Sequence, residues 1–135
     1  MEDAQRFAFR FDIRYRPALL ALGVHPGNAE VILDDESLEV RFGRWRIATP
    51  VDNVSCLEVT GPYKGYRAIG IRGSRVDNGI TFGTSTAGGV CVLFHEPVPA
   101  LLPGLRPHPG MTVTVADLAG FASAVAERAG IDPPA

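Results

Sequence analysis

Lysine is nearly missing from this chain. Lys64 is the one lysine among 13 basic residues, and the other 12 are arginines. Cysteine is scarce as well: Cys56 and Cys91 are the only two in 135 residues. Two thiols do not make the disulfide framework of a small secreted domain. Both sit inside apolar runs, so both are expected to be buried and reduced. No apolar run approaches the ~20 residues of a membrane span. The start, Met1-Glu2-Asp3-Ala4-Gln5, is acidic and has no basic-then-apolar signal pattern, so a cytoplasmic protein is expected. An excess of one charge is also lacking. With 13 basic and 15 acidic residues the net charge is −2, which gives no electrostatic reason to expect nucleic-acid binding.

Catalytic and metal-binding patterns are equally sparse. A metal site needs three or four converging ligands. His25, His95 and His108 are scattered, with no His-x-His or Cys-x-x-Cys spacing, and exposed loop or strand-end positions are expected for all three. There is no Gly-x-Ser-x-Gly elbow for a nucleophile. Cys91 and His95 lie four apart in one extended run, about 13 Å between Cα atoms, too far to pair. The glycine-rich stretch 79–89 is followed by apolar strand residues rather than by a helix, so it suits a turn and not a phosphate cradle. Asp34, Asp35 and Glu36 are adjacent in a polar turn. No enzyme, metal or cofactor is expected.

What is present is alternation. Hydrophobic residues make up 46% of the chain, enough for one packed domain over 1–135 with its core at about 6–131. Phe7, Phe9, Phe11, Ile13 and Tyr15 alternate with polar residues or alanine from Arg6 to Arg16. That predicts a strand of about 33 Å, long enough to bend around a core, stopped by Pro17. A short helical turn is expected at 18–24. Further strands are predicted at 29–33, 38–42, 45–49, 54–59, 79–84, 90–94 and 111–115, and 67–72 stays open as a short strand or a continuation of the loop before it. Gly43-Arg44 and residues 85–89 are read as turns between antiparallel partners. The proline-rich stretch 97–110 is read as an irregular connection whose Leu101, Leu102 and Leu105 need burial. Residues 117–130 predict one helix. Asp117 is the N-cap, Leu118, Phe121, Ala122, Val125 and Ala129 form one apolar stripe, and Gly130 terminates it.

The expected fold is mainly β, α+β by count. It is an antiparallel small barrel or sandwich of seven or eight strands capped by one C-terminal helix. This plan is similar to pleckstrin-homology-like domains. Asn53-Val54, Val59-Thr60-Gly61-Pro62-Tyr63, Gly79-Ile80-Thr81-Phe82-Gly83-Thr84, Gly89-Val90-Cys91-Val92 and Thr112 to Asp117 also resemble a family of uncharacterised actinobacterial proteins, over about residues 30–128. The motifs are turns and core strands, and the resemblance implies no catalytic residue.

Two basic features are candidates for binding. Arg10, Arg14, Arg16, Arg41, Arg44 and Arg46 line predicted strand faces, where Asp12 and Glu39 are cross-strand partners that neutralise them. The loop Gly61 to Arg67 is the stronger candidate. It places Tyr63 and Tyr66 beside Lys64 and Arg67, rings and cations suited to an acidic group. The sequence thus points to a non-enzymatic binding or scaffolding domain, contacting a protein segment or an anionic small-molecule or lipid headgroup through Tyr63, Lys64, Tyr66 and Arg67. The alternative is a carrier holding an apolar ligand inside the barrel. A small enzyme is the remaining possibility. The oligomeric state stays open, a homodimer included.

Overall fold

The computed structural model describes residues 4–63, 69–73, 79–99 and 107–134. Among them lie nine strands and two helices: β1 (Gln5–Ala8), α1 (Arg16–Ala21), β2 (Ala29–Leu33), β3 (Ser37–Phe42), β4 (Trp45–Pro50), β5 (Val54–Thr60), β6 (Gly70–Gly73), β7 (Ile80–Gly83), β8 (Gly89–Val98), β9 (His108–Val113) and α2 (Leu118–Ala129). The fold is mainly β, with a helix at the C-terminal end.

Strands β1 to β4 form an antiparallel meander in chain order. Here the two-residue periodicity is obeyed closely. Leu38, Val40 and Phe42 are buried, while Glu39 and Arg41 lie on the opposite face. Phe42 pairs with Trp45 across the Gly43-Arg44 loop, and Gly43 has the positive φ of 63° that the tight turn requires.

The long opening strand is not formed. β1 ends at Ala8, and only Phe9 continues the pairing, through a bridge to Val115. The next residues cross to the second sheet, where the Arg10 N–H donates to the Thr114 carbonyl and the Asp12 N–H to the Thr84 carbonyl, both at 3.0 Å. A 3-10 turn over Ile13–Tyr15 then leads into α1. Pro17 therefore begins a helix rather than ending a strand. Its fixed φ and missing N–H suit the first helical turn, where no N–H partner is needed.

The second sheet has the order β5-β8-β9-β7-β6. Its neighbours are antiparallel except β7 and β9, which run parallel. This corrects the expected hairpin of 79–84 with 90–94: β9 lies between β7 and β8. Crossing one intervening strand requires only about 10 Å, so a short turn serves either arrangement. The crossing is fixed by buried hydroxyls. The Thr84 N–H donates to Thr114 Oγ1 at 2.9 Å, the two threonine hydroxyls are 3.0 Å apart, and Thr84 Oγ1 also donates to the Arg10 carbonyl.

Strand limits differ elsewhere too. β8 runs through Pro97 to Val98 and β9 begins at His108, so the two ends of the supposed irregular connection, 97–98 and 108–110, are extended chain. Leu101, Leu102 and Leu105 lie outside the described residues. β6 is Gly70–Gly73, and residues 74–78 of the expected polar loop are likewise outside.

Aromatic rings fill the space between the sheets. Phe42 lies 5.2 Å from Phe9 and 5.4 Å from Phe82, centroid to centroid. Helix α2 covers the flank beside β5, with Phe121 meeting Phe7 edge-on at 5.1 Å. Asp117 caps it by accepting the Gly120 N–H at 3.0 Å. Gly130, at φ 71°, and the Ile131 N–H, donating to the Ala126 carbonyl, close its other end. The two sheets are joined by the Phe9–Val115 bridge and by Asn53, whose side chain donates to the Glu96 carbonyl and accepts the Glu96 N–H, each at 2.9 Å. Among the described residues the strands form two sheets and not a closed barrel.

Candidate functional site

The Gly61 loop has a built base. Gly61 has φ 104°, and a Cβ there would stand 2.6 Å from Gly88 Cα, so only glycine allows the two backbones to approach this closely. The Gly61–Pro62 peptide is cis. The Tyr63 N–H donates to the Thr86 carbonyl at 2.8 Å, and its hydroxyl hydrogen-bonds Thr60 Oγ1. Tyr63 is half-buried with its hydroxyl over Gly89. Burial pushes the phenol above its ordinary pKa, while the Thr60 bond acts in the opposite direction. Tyr63 is thus held against β5 and β8. Lys64, Tyr66 and Arg67 lie outside the described residues. The chain is described again at Ile69, which is buried, and at Gly70, whose Cβ position is 3.4 Å from Leu22 Cδ1. The two ends of the loop are therefore anchored, the first on the 85–89 turn and the second beside the end of α1.

The expected neutralised arginine face holds only in part, because the chain leaves β1 at Ala8 and carries Arg10, Arg14 and Arg16 off the sheet. Arg6 pairs with Glu30, and Arg41 and Arg46 both pair with Glu39. Arg10 pairs with Asp12 at 4.0 Å, and Arg128 pins α2 to Asp35 at 3.3 Å. Three arginines with described side chains are left without a carboxylate partner among the described residues: Arg14, Arg16 and Arg44. Arg14 lies over the Tyr15 ring at 5.1 Å and Arg44 over Trp45 at 6.0 Å.

Arg14 and Arg16 occur in the segment where apolar side chains are most exposed, and Arg44 in the β3–β4 turn that packs on its end. Ile13 is 82% exposed, Leu20 64% and Leu22 44%, three of the five exposed large hydrophobics among the described residues. Leu19, between them in sequence, is fully buried. A cleft of about 180 Å³ opens here, lined by Phe11, Arg16, Leu20, Val24, His25 and Pro26. The β3–β4 turn closes the same end, since a Cβ on Gly43 would lie 3.0 Å from Val24 Cγ2. Sequence reasoning missed this surface. The signal was there: Leu19, Leu20 and Leu22 fall within a single turn, and a helix of six residues cannot turn all three toward one core.

The scarce chemistry-bearing residues are distributed differently from expectation. Cys56 is exposed and Cys91 half-buried. A bulge between Val54 and Cys56 keeps Val54 and Leu57 in the core and turns Cys56 outward. Cys91 shares that outer face, beside a shallow cleft of about 240 Å³ formed with Thr81, Leu93, Gly110 and Thr112. His25 and His95 are exposed, but His108 is buried in β9, contrary to its expected loop position. Among the described residues no three His, Cys, Asp or Glu side chains group in a way that would hold a metal ion. No helix among them is long and apolar enough to cross a membrane. Comparison with protein-family models, curated proteins and solved structures finds no match for the chain.

Proposed function

We propose that this chain is a non-enzymatic binding or scaffolding domain of pleckstrin-homology-like plan, acting in the cytoplasm, from the actinobacterial family its strand motifs resemble. The meander β1–β4, the second sheet facing it and the flanking helix α2 support that plan. The parallel β7–β9 pair departs from it. The partner is a protein segment or an anionic headgroup, met by the loop that carries Tyr63, Lys64, Tyr66 and Arg67.

The observation that carries the reading is the anchoring of that loop. Gly61 and Tyr63 are fixed on Thr60, Thr86 and Gly88, and Gly70 returns beside Leu22. A fixed base lowers the ordering cost of a contact, which favours binding. Tyr63 serves as the anchor, while Lys64 and Arg67 supply charge. The test compares wild type with the double variant Lys64→Glu/Arg67→Glu in a pull-down from host extract and on phosphatidylserine vesicles. Binding should weaken in the variant and, for wild type, with rising salt. Stability should stay within about 0.5 kcal/mol, as for other exposed loop changes. Equal binding by both proteins, or a large fall in melting temperature, would overturn the proposal.

A further inference from the structure

We infer that the α1 end of the molecule docks an acidic, amphipathic peptide segment of another protein. One apolar side chain of that segment enters the cleft between Leu20 and Val24, and its carboxylates meet Arg14, Arg16 and Arg44. The inference rests on the binding-domain reading and locates the contact on residues distinct from the Tyr63 loop.

Charge complementarity identifies the occupant. Of the eight arginines with described side chains, five pair with carboxylates, and the three that do not are Arg14, Arg16 and Arg44. Asp12, the nearest acid in sequence, is engaged by Arg10 and by the Thr86 N–H at 3.1 Å. Among the described residues, Arg14 and Arg16 thus stand without a carboxylate in the same segment as exposed Ile13, Leu20 and Leu22, with Arg16 and Leu20 lining one cleft, and Arg44 stands in the turn whose Gly43 meets Val24. An interface core that is apolar with a charged rim has this composition.

Shape and charge together exclude the other occupants. The cleft holds about 180 Å³. That is below the roughly 300–1,000 Å³ of small-molecule pockets and suits a single inserted side chain. A second copy of this chain would bring the same arginines to a two-fold interface, and like charges there repel. A bilayer surface is usually met by a longer amphipathic helix with exposed aromatic residues. Here the helix has six residues, and the neighbouring aromatics Phe11 and Tyr15 are half-buried.

The experiment follows amide resonances of the full-length ¹⁵N-labelled protein against three probes. These are a synthetic peptide alternating leucine with glutamate and aspartate, the same peptide with lysine in place of each acid, and vesicles of phosphatidylcholine with phosphatidylserine. The acidic peptide should shift the amides of residues 11–26 and 43–45, and the lysine peptide should leave them unmoved. Arg14→Glu/Arg16→Glu and, separately, Leu20→Ser should each weaken the acidic peptide at least tenfold while leaving the rest of the spectrum unchanged. Lys64→Glu/Arg67→Glu should leave this affinity within about twofold, which separates failure here from failure of the loop reading. No shift with the acidic peptide, shifts confined to other residues, or undiminished binding by both α1 variants would overturn the inference. Vesicle binding without peptide binding would overturn it in favour of a lipid surface.

Discussion

Thr84 shows how one side chain sets the path of the chain. Its hydroxyl sits between the Thr114 hydroxyl and the Arg10 carbonyl, fully buried, at the point where the chain leaves β7 and crosses β9. Thr84→Val keeps the shape and removes the donor, leaving buried polar atoms without it. Equilibrium urea unfolding should show a loss of about 1–3 kcal/mol. A change inside experimental error would mean that these bonds do not hold the crossing. Cys56 gives a second test. Because the Val54–Cys56 bulge turns it outward, a thiol reagent should modify Cys56 in the native protein, faster than half-buried Cys91. If neither thiol reacts before unfolding, the outward placement is wrong. Asp34 supplies a pH dependence. Its carboxylate accepts the backbone N–H groups of Glu36 and Ser37, at 2.8 and 2.7 Å, and these bonds hold its pKa below the ordinary value. A depressed folded-state pKa contributes stability above the unfolded-state value and loses it as pH falls through the folded one. The stability gap between wild type and Asp34→Asn should therefore be full at neutral pH and close below the ordinary carboxylate range.

At the scale of elements, α2 was legible because every local signal agreed. Cap, stripe and terminal glycine all fall where the structure puts them. Phe121 is fully buried against Phe7, so Phe121→Ala should cost about 3–5 kcal/mol, and Asp117→Ala about 1 kcal/mol. Denaturation midpoints that rank these two in reverse would show the helix to be held by its cap more than by its stripe. The opening segment was misread because its signals conflict. Alternation runs on through Phe11, Ile13 and Tyr15, but the backbone of Arg10 to Asp12 finds its partners on Thr84 and Thr114 instead of along β2. Periodicity reports which side chains share a face of an extended chain. It does not report when the neighbouring strand ends. The same error hid the α1 surface, since alternation puts Ile13 on the apolar face of a strand that does not form there, and its side chain is exposed.

For the whole molecule, local turn chemistry recovers the first sheet and not the second. β1 to β4 pair in chain order, so each turn identifies its own neighbours. In the second sheet the last strand in sequence is the middle one in space, and no local signal near residues 85–89 announces it. Long-range pairing of this kind closes large loops before any contact is formed, which slows folding. It also makes the sheet depend on its final segment. A chain ending at residue 106 keeps eight of the nine described strands but lacks β9 and α2. β7 would lose its Met111, Thr112 and Val113 partners, β8 would lose its inner neighbour, and Phe7 would lose Phe121. The remaining apolar faces of Ile80, Phe82, Val90 and Val92 would then flank a gap where Met111 and Val113 had been buried. Such a chain should show no cooperative thermal transition and should bind a hydrophobic dye, as loosely packed states do. A sharp calorimetric transition from the truncated chain would mean that β5–β8 and β6–β7 are self-sufficient and that β9 is an addition to an already stable fold.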